Sequence, residues 1–396
     1  MDADRLLEAK KDSGGFAVDC YVINDGAALQ AVREMRGKGV AGLEPEKVLV
    51  VIDRTVPSNS PECSMEQREL MEFARDMGLE FCYGTGMCGH LLRQRLKKGG
   101  LAVGCDPLVA MAGADGALGI CLEPEGLAEA LTTGRVRLDG EGAGKPAFVP
   151  KVLPVRLTGN LPAGVLAMDA ALELVRALTP AAISGRIVEL AGGRALPEAD
   201  RMVFCAVAAA AGARAALFGG EDEREDACGL GDDVRTLDLS RVRPMTALPG
   251  GFDRICALQE AGENTDANRP VKVSSVFIGG GAGGNLEDIR RVADAVRGKK
   301  VAYGLRLSVA PATADIYIEA ADRGYLTDIM EAGGLVLNQC ASPAVQSRIG
   351  EGEYMVSNDL YNGAGYAGSL GEGIYLASTS TAAACALTGV LKGGAR

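Results

Sequence analysis

Short apolar runs recur along the chain between glycine-rich or polar clusters, and stretches of helical periodicity separate them. Residues 16–23 and 47–53 read as strands, the second delivering Asp53 and Arg54 at its C-terminal end. A polar helix over 6–11 precedes them, and Asn24, Asp25 and Gly26 open a helix through Met35. Residues 64–77 predict an amphipathic helix with Ser64 and Gln67 at capping-box spacing. A glycine-rich segment, 84–90, leads into a basic helix over 91–98, and the strand 101–106 ends in Asp106. Further strands are expected at 151–157, 186–190, 271–278, 300–309 and 335–337, with helices at 167–178, 201–213, 287–297 and 313–323. A Gly/Asn-rich loop over 357–373 precedes a last alanine-rich helix. Strands alternating with helices predict parallel sheets in an α/β architecture. Glycine and proline crowd 140–150, and 261–270 is polar; these stretches divide the chain into expected domains 1–150, 151–270 and 271–396.

The stretch 274–285 reads as strand, tight glycine turn and helix start, which places backbone N–H groups where an anionic ligand could sit. Gly279, Gly281 and Gly284 formally satisfy a dinucleotide fingerprint. That fingerprint also wants an acid at the end of the next strand, and here the strand runs into Ala310. A nicotinamide or flavin dinucleotide is therefore not the expected ligand.

Composition narrows the class. At 396 residues the chain has room for two or three domains of ~150 residues. Its net charge of −11 argues against a nucleic-acid or anionic-membrane surface. Met202 to Ala213, the most continuous apolar stretch, is too short to span a bilayer, and the N-terminus has no secretory pattern. A cytoplasmic location is expected. The 54 glycines are about twice the ~7% norm, so many turns bring backbone close to backbone or ligand. None of the 11 cysteines forms a Cys-x-x-Cys pair, so reduced, packed thiols are expected rather than a disulfide frame.

His90 is the sole histidine, which rules out zinc sites needing two, and no Gly-x-Ser-x-Gly elbow occurs. A lone histidine is more often structural, and an acid such as Asp53 can simply cap a turn or pair with Arg54. Spacing nominates a crevice lined by Asp53, His90, Asp106 and the turn 279–285, without naming a reaction.

Several segments together resemble the aconitase and isopropylmalate isomerase large-subunit family: Ser274 to Gly279, Leu286 to Arg290, Ile52 to Ser58, Gly84-x-Gly86-x-Cys88, Val103 to Asp106 with Gly116 to Gly119, Leu157 to Val165 and Glu331 to Gly334. The resemblance implies three α/β/α domains around a central cleft, with the mobile swivel domain absent from this chain. In that family three cysteines hold a [4Fe–4S] cluster, the first in a Gly-Ser-Cys-Thr-Asn turn and two in a Cys-x-x-Cys. Here the turn reads Gly279-Gly280-Gly281-Ala282-Gly283-Gly284-Asn285, and the other position reads Cys340-Ala341-Ser342-Pro343. One thiolate cannot hold a cubane cluster, so no cofactor is expected. Asn24, Arg54 and Gly89 stand where the family has catalytic histidines, with His90 displaced by one residue. The family's substrate loop reads Ser357-Asn358-Asp359-Leu360-Tyr361 and lacks its carboxylate-clamping arginines.

Two functions follow as expectations. One is a cluster-free hydro-lyase or isomerase acting on something less anionic than citrate, with His90 and Asp106 as acid/base pair and Asp53 with Arg54 as orienting groups. Ligand contacts would come from Asn24, Asp25, Gly280, Gly281, Gly283, Asn285, Cys340, Ser357 and Asn358. The other is a non-catalytic, aconitase-like binding or scaffold subunit. Either could work with a separate small swivel-domain subunit or as a homo-oligomer.

Overall fold

The computed structural model describes residues 2–12, 15–38, 44–137, 150–193, 195–219, 234–261, 270–343, 348–363 and 373–392. Residues 140–149 of the expected boundary, most of the linker 261–270 and the loop residues 364–372 lie outside them. Contacts divide the chain into two compact units, Met1–Tyr83 with Cys88–Thr158 and Ala181–Leu237, and Gly84–Met87 with Gly159–Pro180 and Asp238–Arg396. Residues 151–270, expected as one domain, contribute to both.

The first unit is built on five parallel strands: β1 (Cys20–Asn24), β2 (Val48–Ile52), β3 (Glu80–Tyr83), β4 (Leu101–Gly104) and β5 (Leu118–Cys121), in the order β3-β2-β1-β4-β5. Every residue of β1, β2 and β4 is buried. Helices cover both faces of such a sheet, so its central strands read as unbroken apolar runs rather than alternating ones. Three further strands, β6 (Val152–Thr158), β7 (Ile187–Ala191) and β8 (Ala215–Phe218), form a second parallel set, joined at its edge by β9 (Arg235–Asp238).

The second unit holds a seven-stranded sheet: β10 (Met245–Ala247), β11 (Ile255–Ala257), β12 (Ser275–Ile278), β13 (Arg306–Val309), β14 (Leu335–Val336), β15 (Tyr354–Ser357) and β16 (Gly373–Ala377). Its order is β11-β10-β16-β15-β12-β13-β14, antiparallel only at β10 and β11. The parallel part repeats the topology of the first sheet: the chain lays down three strands to one side, then returns to add two on the other. In each sheet the reversal falls between the first and fourth strands, and the gap outside their C-terminal ends is where open α/β sheets place ligands. Val276, Ile278, Ile289, Val292, Leu307 and Val309 are among the fully buried members of this unit's core.

Several elements differ from expectation for identifiable reasons. The helix expected at 64–77 begins at Pro61, because Ser60 caps it by accepting from Cys63 N at 3.1 Å and proline suits the first turn. Ser64 is therefore inside the helix, and Gln67 is released from capping. The strand expected at 300–309 exists only over Arg306–Val309: Val301 N and Ala302 N donate to Ala332 O and Ala386 O instead of to a sheet neighbour. The basic helix runs Cys88–Arg95, three residues earlier than its periodicity indicated. The run 16–23 splits into Gly15–Ala17 and β1, and 271–278 into Val271–Lys272 and β12.

Candidate functional site

Asn24 ends β1, Asp53 follows β2 and Asp106 follows β4, so three strand ends meet at the switch point of the first sheet. Asn24 sits between the two acids: its Nδ2 donates to Asp53 Oδ1 and to Asp106 Oδ2, both at 3.1 Å. Asp53 Oδ2 also accepts the Cys88 N–H at 2.5 Å, from the start of the helix Cys88–Arg95. Asp106 Oδ1 caps the 3-10 helix Pro107–Asp115 by accepting from Leu108 N at 2.9 Å. Its Oδ2 receives Arg54 Nη1 at 2.7 Å, so the guanidinium pairs with Asp106 rather than with the adjacent Asp53. This reverses the expected partnership, in which Asp53 and Arg54 acted together.

Burial sorts these groups by access. Asp53 is wholly buried and Asp106 is 2% exposed, whereas the Arg54 side chain is 30% exposed. A ligand arriving at this switch point meets the arginine first. Burial, and then the neighbouring Asp25 and Asp106 carboxylates, push the Asp53 carboxyl up to about 7, against the pull of the Cys88 N–H and the Asn24 amide. A carboxyl that titrates near neutrality can both hold and release a proton. The Cys88 thiol is driven well above its ordinary range by burial and then by the Asp53 and Asp106 charges, so it is unsuited to thiolate chemistry.

Asp25, expected to bind ligand, shapes the loop instead. Its Oδ1 accepts Asp53 N at 2.7 Å and Arg54 N at 2.9 Å, and its Oδ2 accepts Thr55 N at 3.1 Å. Gln67 braces the same loop, donating to Thr55 O at 2.7 Å. Sequence reasoning missed Gln67 as a site-supporting residue because it assigned the side chain to a cap. The Cys88 N–H was also missed, although the Gly-x-Gly-x-Cys helix start was its visible signal. His90 lies in the first turn of Cys88–Arg95 and is half-buried. At Gly89 a Cβ would come within 2.5 Å of Leu108 O and 2.7 Å of Met111 Sδ, so this backbone admits no side chain there, histidine included.

The corresponding switch point of the second unit brings the turn after β12 against the loop after β15. The glycines of that turn do not leave an open cradle, as the sequence suggested. A Cβ on Gly280 would stand 2.4 Å from Asp359 Oδ1, and one on Gly283 would stand 2.3 Å from the Asn358 amide group. The chain's own side chains therefore fill the space. Asn358 Oδ1 accepts Gly279 N at 2.8 Å, its Nδ2 donates to Thr379 Oγ1 at 2.8 Å, and Thr379 in turn bonds Asp288. Asn285 caps the helix Leu286–Val296, accepting Asp288 N at 2.9 Å, and Ser357 Oγ accepts Asp359 N at 3.0 Å. Gly281 lies buried in the turn, and Cys340 is 1% exposed at φ 66°. Thr379 and Asp288 were not anticipated; only their helix-start positions hinted at them. Among the described residues no group of three or more His, Cys, Asp or Glu is arranged to hold a metal ion. The turn 279–285 contains no cysteine and is packed by Asn358 and Asp359, so these residues do not fit a [4Fe–4S] cluster.

Comparison with known proteins agrees with this architecture. The profile of the Aconitase family (aconitate hydratase) matches residues 3–226 and 232–389. The 3-isopropylmalate dehydratase large subunit 2 of Archaeoglobus fulgidus is 30% identical over 420 residues, covering 98% of this chain and 97% of that one. The homoaconitase large subunit of Thermus thermophilus is 33% identical over 367 residues, covering 88% and 84%. Among solved structures, holo-form aconitase X of Thermococcus kodakaraensis superposes with a TM-score of 0.55 at 15% identity, over 90% of this chain and 86% of that one, a likeness of fold. No helix of the described residues is long and apolar enough to cross a membrane. With nearly its whole length matched, the chain belongs to the aconitase family.

Proposed function

We propose that this aconitase-family large-subunit homologue is a carbon–oxygen lyase of the dehydratase or isomerase class that works without an iron–sulfur cluster, on a hydroxy acid with a single carboxylate. The observation that carries the reading is the buried Asn24–Asp53–Asp106–Arg54 constellation at a strand-order switch point. The Asp25 and Asp106 charges both raise the buried Asp53 carboxyl, and of the three acids Asp106 meets the Arg54 guanidinium, a concentration of buried charge that costs stability. Arg54, the most exposed member, offers a cation to one carboxylate, and Asp106 fixes its fork. Asp53 stores a proton behind them at near-neutral pH. The packed turn at Gly280 and Gly283 supports the cluster-free part of the reading. Relatives named as large subunits support a separate small subunit as partner.

A second reading, a ligand-binding subunit without turnover, is favoured by one fact: Asp53 is fully buried and has no direct path to substrate. Iron and acid-labile sulfide on anaerobically purified protein test the cofactor statement, and about four of each per chain would overturn it. For the site, thermal shift is read with hydroxy-monocarboxylates and with dicarboxylates, and elimination is followed by the ultraviolet absorbance of the unsaturated acid. Stabilisation by a monocarboxylate that disappears in Arg54→Met, accompanied by absorbance growth, is expected. Stabilisation without absorbance growth leaves the binding-subunit reading, and silence across both panels refutes the site.

A further inference from the structure

At the opposite end of the first sheet, where β1, β2 and β4 begin, lies a cavity of about 420 Å³, a size usual for small-molecule sites. Its lining includes Cys20 and Val48, the first residues of β1 and β2, and Gly100, immediately before β4. Five residues of strand put this floor roughly 15 Å from the Asp53 end, so the cavity is separate from the acid cluster.

The lining is basic in an acidic chain. Lys10, Arg95, Lys97 and Lys98 surround the space against two carboxylates, Asp19 and Glu46, while the whole protein carries −11. Asp19 is already engaged: its Oδ2 accepts Lys10 Nζ at 2.5 Å and Leu101 N at 2.8 Å. Arg95 is shared with Glu80 outside the cavity. Lys97 and Lys98 are exposed, on the turn that leaves the helix Cys88–Arg95 and closes through Gly99 at φ 77°. Glu46 belongs to the short 3-10 helix Pro45–Lys47, which Pro45 begins, and is exposed.

From this lining we infer that the cavity binds a small phosphorylated, hydroxyl-bearing metabolite, the sugar-phosphate class. Flexible ammonium groups suit a phosphate, which needs several point charges rather than one planar fork. Even with Glu80 sharing Arg95, the lining keeps a net positive charge that favours a phosphate. Glu46 would repel a second anionic group but accepts hydroxyl hydrogens, so a polyol end fits beside it and a polyphosphate does not. The buried Cys20 thiol takes no covalent part: burial raises it to about 11.

Isothermal titration calorimetry of the full chain tests this with ribose 5-phosphate, inorganic phosphate and ribose. Saturable binding of one ribose 5-phosphate per chain is expected, at least tenfold tighter than inorganic phosphate, with none for ribose. Lys97→Glu, a change at an exposed side chain, should weaken it tenfold or more, and Lys11→Glu, outside the cavity, less than twofold. Glu46→Gln should tighten inorganic phosphate and shrink the advantage of the sugar. Arg54→Met should leave the affinity unchanged, which separates this site from the one proposed above. Absence of saturable phosphate binding, equal affinity in Lys97→Glu, or inorganic phosphate binding as tightly as the sugar phosphate each overturns the assignment.

Discussion

Replacing Asp53 by asparagine tests whether a proton resides at the heart of the acid cluster. The side chain is fully buried between Asn24 and the Cys88 N–H, and its carboxyl rises from 3.8 to about 7. The folded state therefore binds the proton more tightly than the unfolded state. The contribution is fully present below 3.8 and is lost as pH rises through about 7. Between pH 5 and 7 the unfolded carboxyl is ionised while the folded one keeps its proton. At ~1.4 kcal/mol per pH unit, less the half-ionisation of the folded carboxyl at pH 7, wild type loses about 2 kcal/mol of stability over that window through this group alone. Asparagine cannot ionise and escapes the loss. Its amide still has to face either the Cys88 N–H or the Asn24 Nδ2 with a donor, a mismatch costing ~1–3 kcal/mol at every pH. Asp53→Asn should thus be less stable than wild type at pH 5 and at least as stable at pH 8. Urea unfolding at both pH values, followed by circular dichroism because the chain has no tryptophan, reads the difference directly. A stability difference that changes by less than about 1 kcal/mol between pH 5 and 8 would refute the protonated state, and with it the proton store invoked for catalysis.

Two further outcomes follow from the loops around the switch points. Asp25→Asn turns an acceptor of three backbone N–H groups into a mixed donor, and should cost roughly 1–3 kcal/mol in urea unfolding. It also removes the second-largest cause of the Asp53 shift, so the inflexion in the pH–stability curve should move to lower pH. Gly280→Ala combines a φ of 70° with a methyl 2.4 Å from Asp359 Oδ1 and should destabilise by roughly 2–4 kcal/mol. The double variant with Asp359→Ala should recover about half by relieving the clash, and equal losses in both variants would show that Asp359 does not fill the turn.

Much of the architecture was legible because buried parallel strands announce themselves as apolar runs. Residues 47–53 and 101–106 locate Asp53 and Asp106 at strand ends to within two residues, and 167–178 matches its helix Ala167–Leu178. Elements stabilised by long-range partners were harder to see. Val301 and Ala302 have strand composition but satisfy their N–H groups on two helix ends, a fact with no local signature. The pairing of Arg54 was equally hidden: adjacency in sequence favoured Asp53, whereas Asp106, 52 residues away, receives the guanidinium. The glycines of 279–284 announced close approach, and only the fold could show that the approaching atoms belong to Asn358 and Asp359. The 420 Å³ basic cavity combines segments too far apart in sequence, 10, 19–20, 46–48 and 95–100, for any motif to connect.

The filled turn at 279–284 acts as a ratchet. A cysteine at Gly283 would strike the Asn358 amide, and one at Gly280 would strike Asp359, so neither substitution is tolerated until the opposing side chain has shrunk. Shrinking Asn358 first removes the acceptor of Gly279 N and the donor to Thr379 with no compensating gain. Each of these two substitutions is thus a loss on its own. A cysteine introduced alone at either position would report a folding defect well before it could report iron.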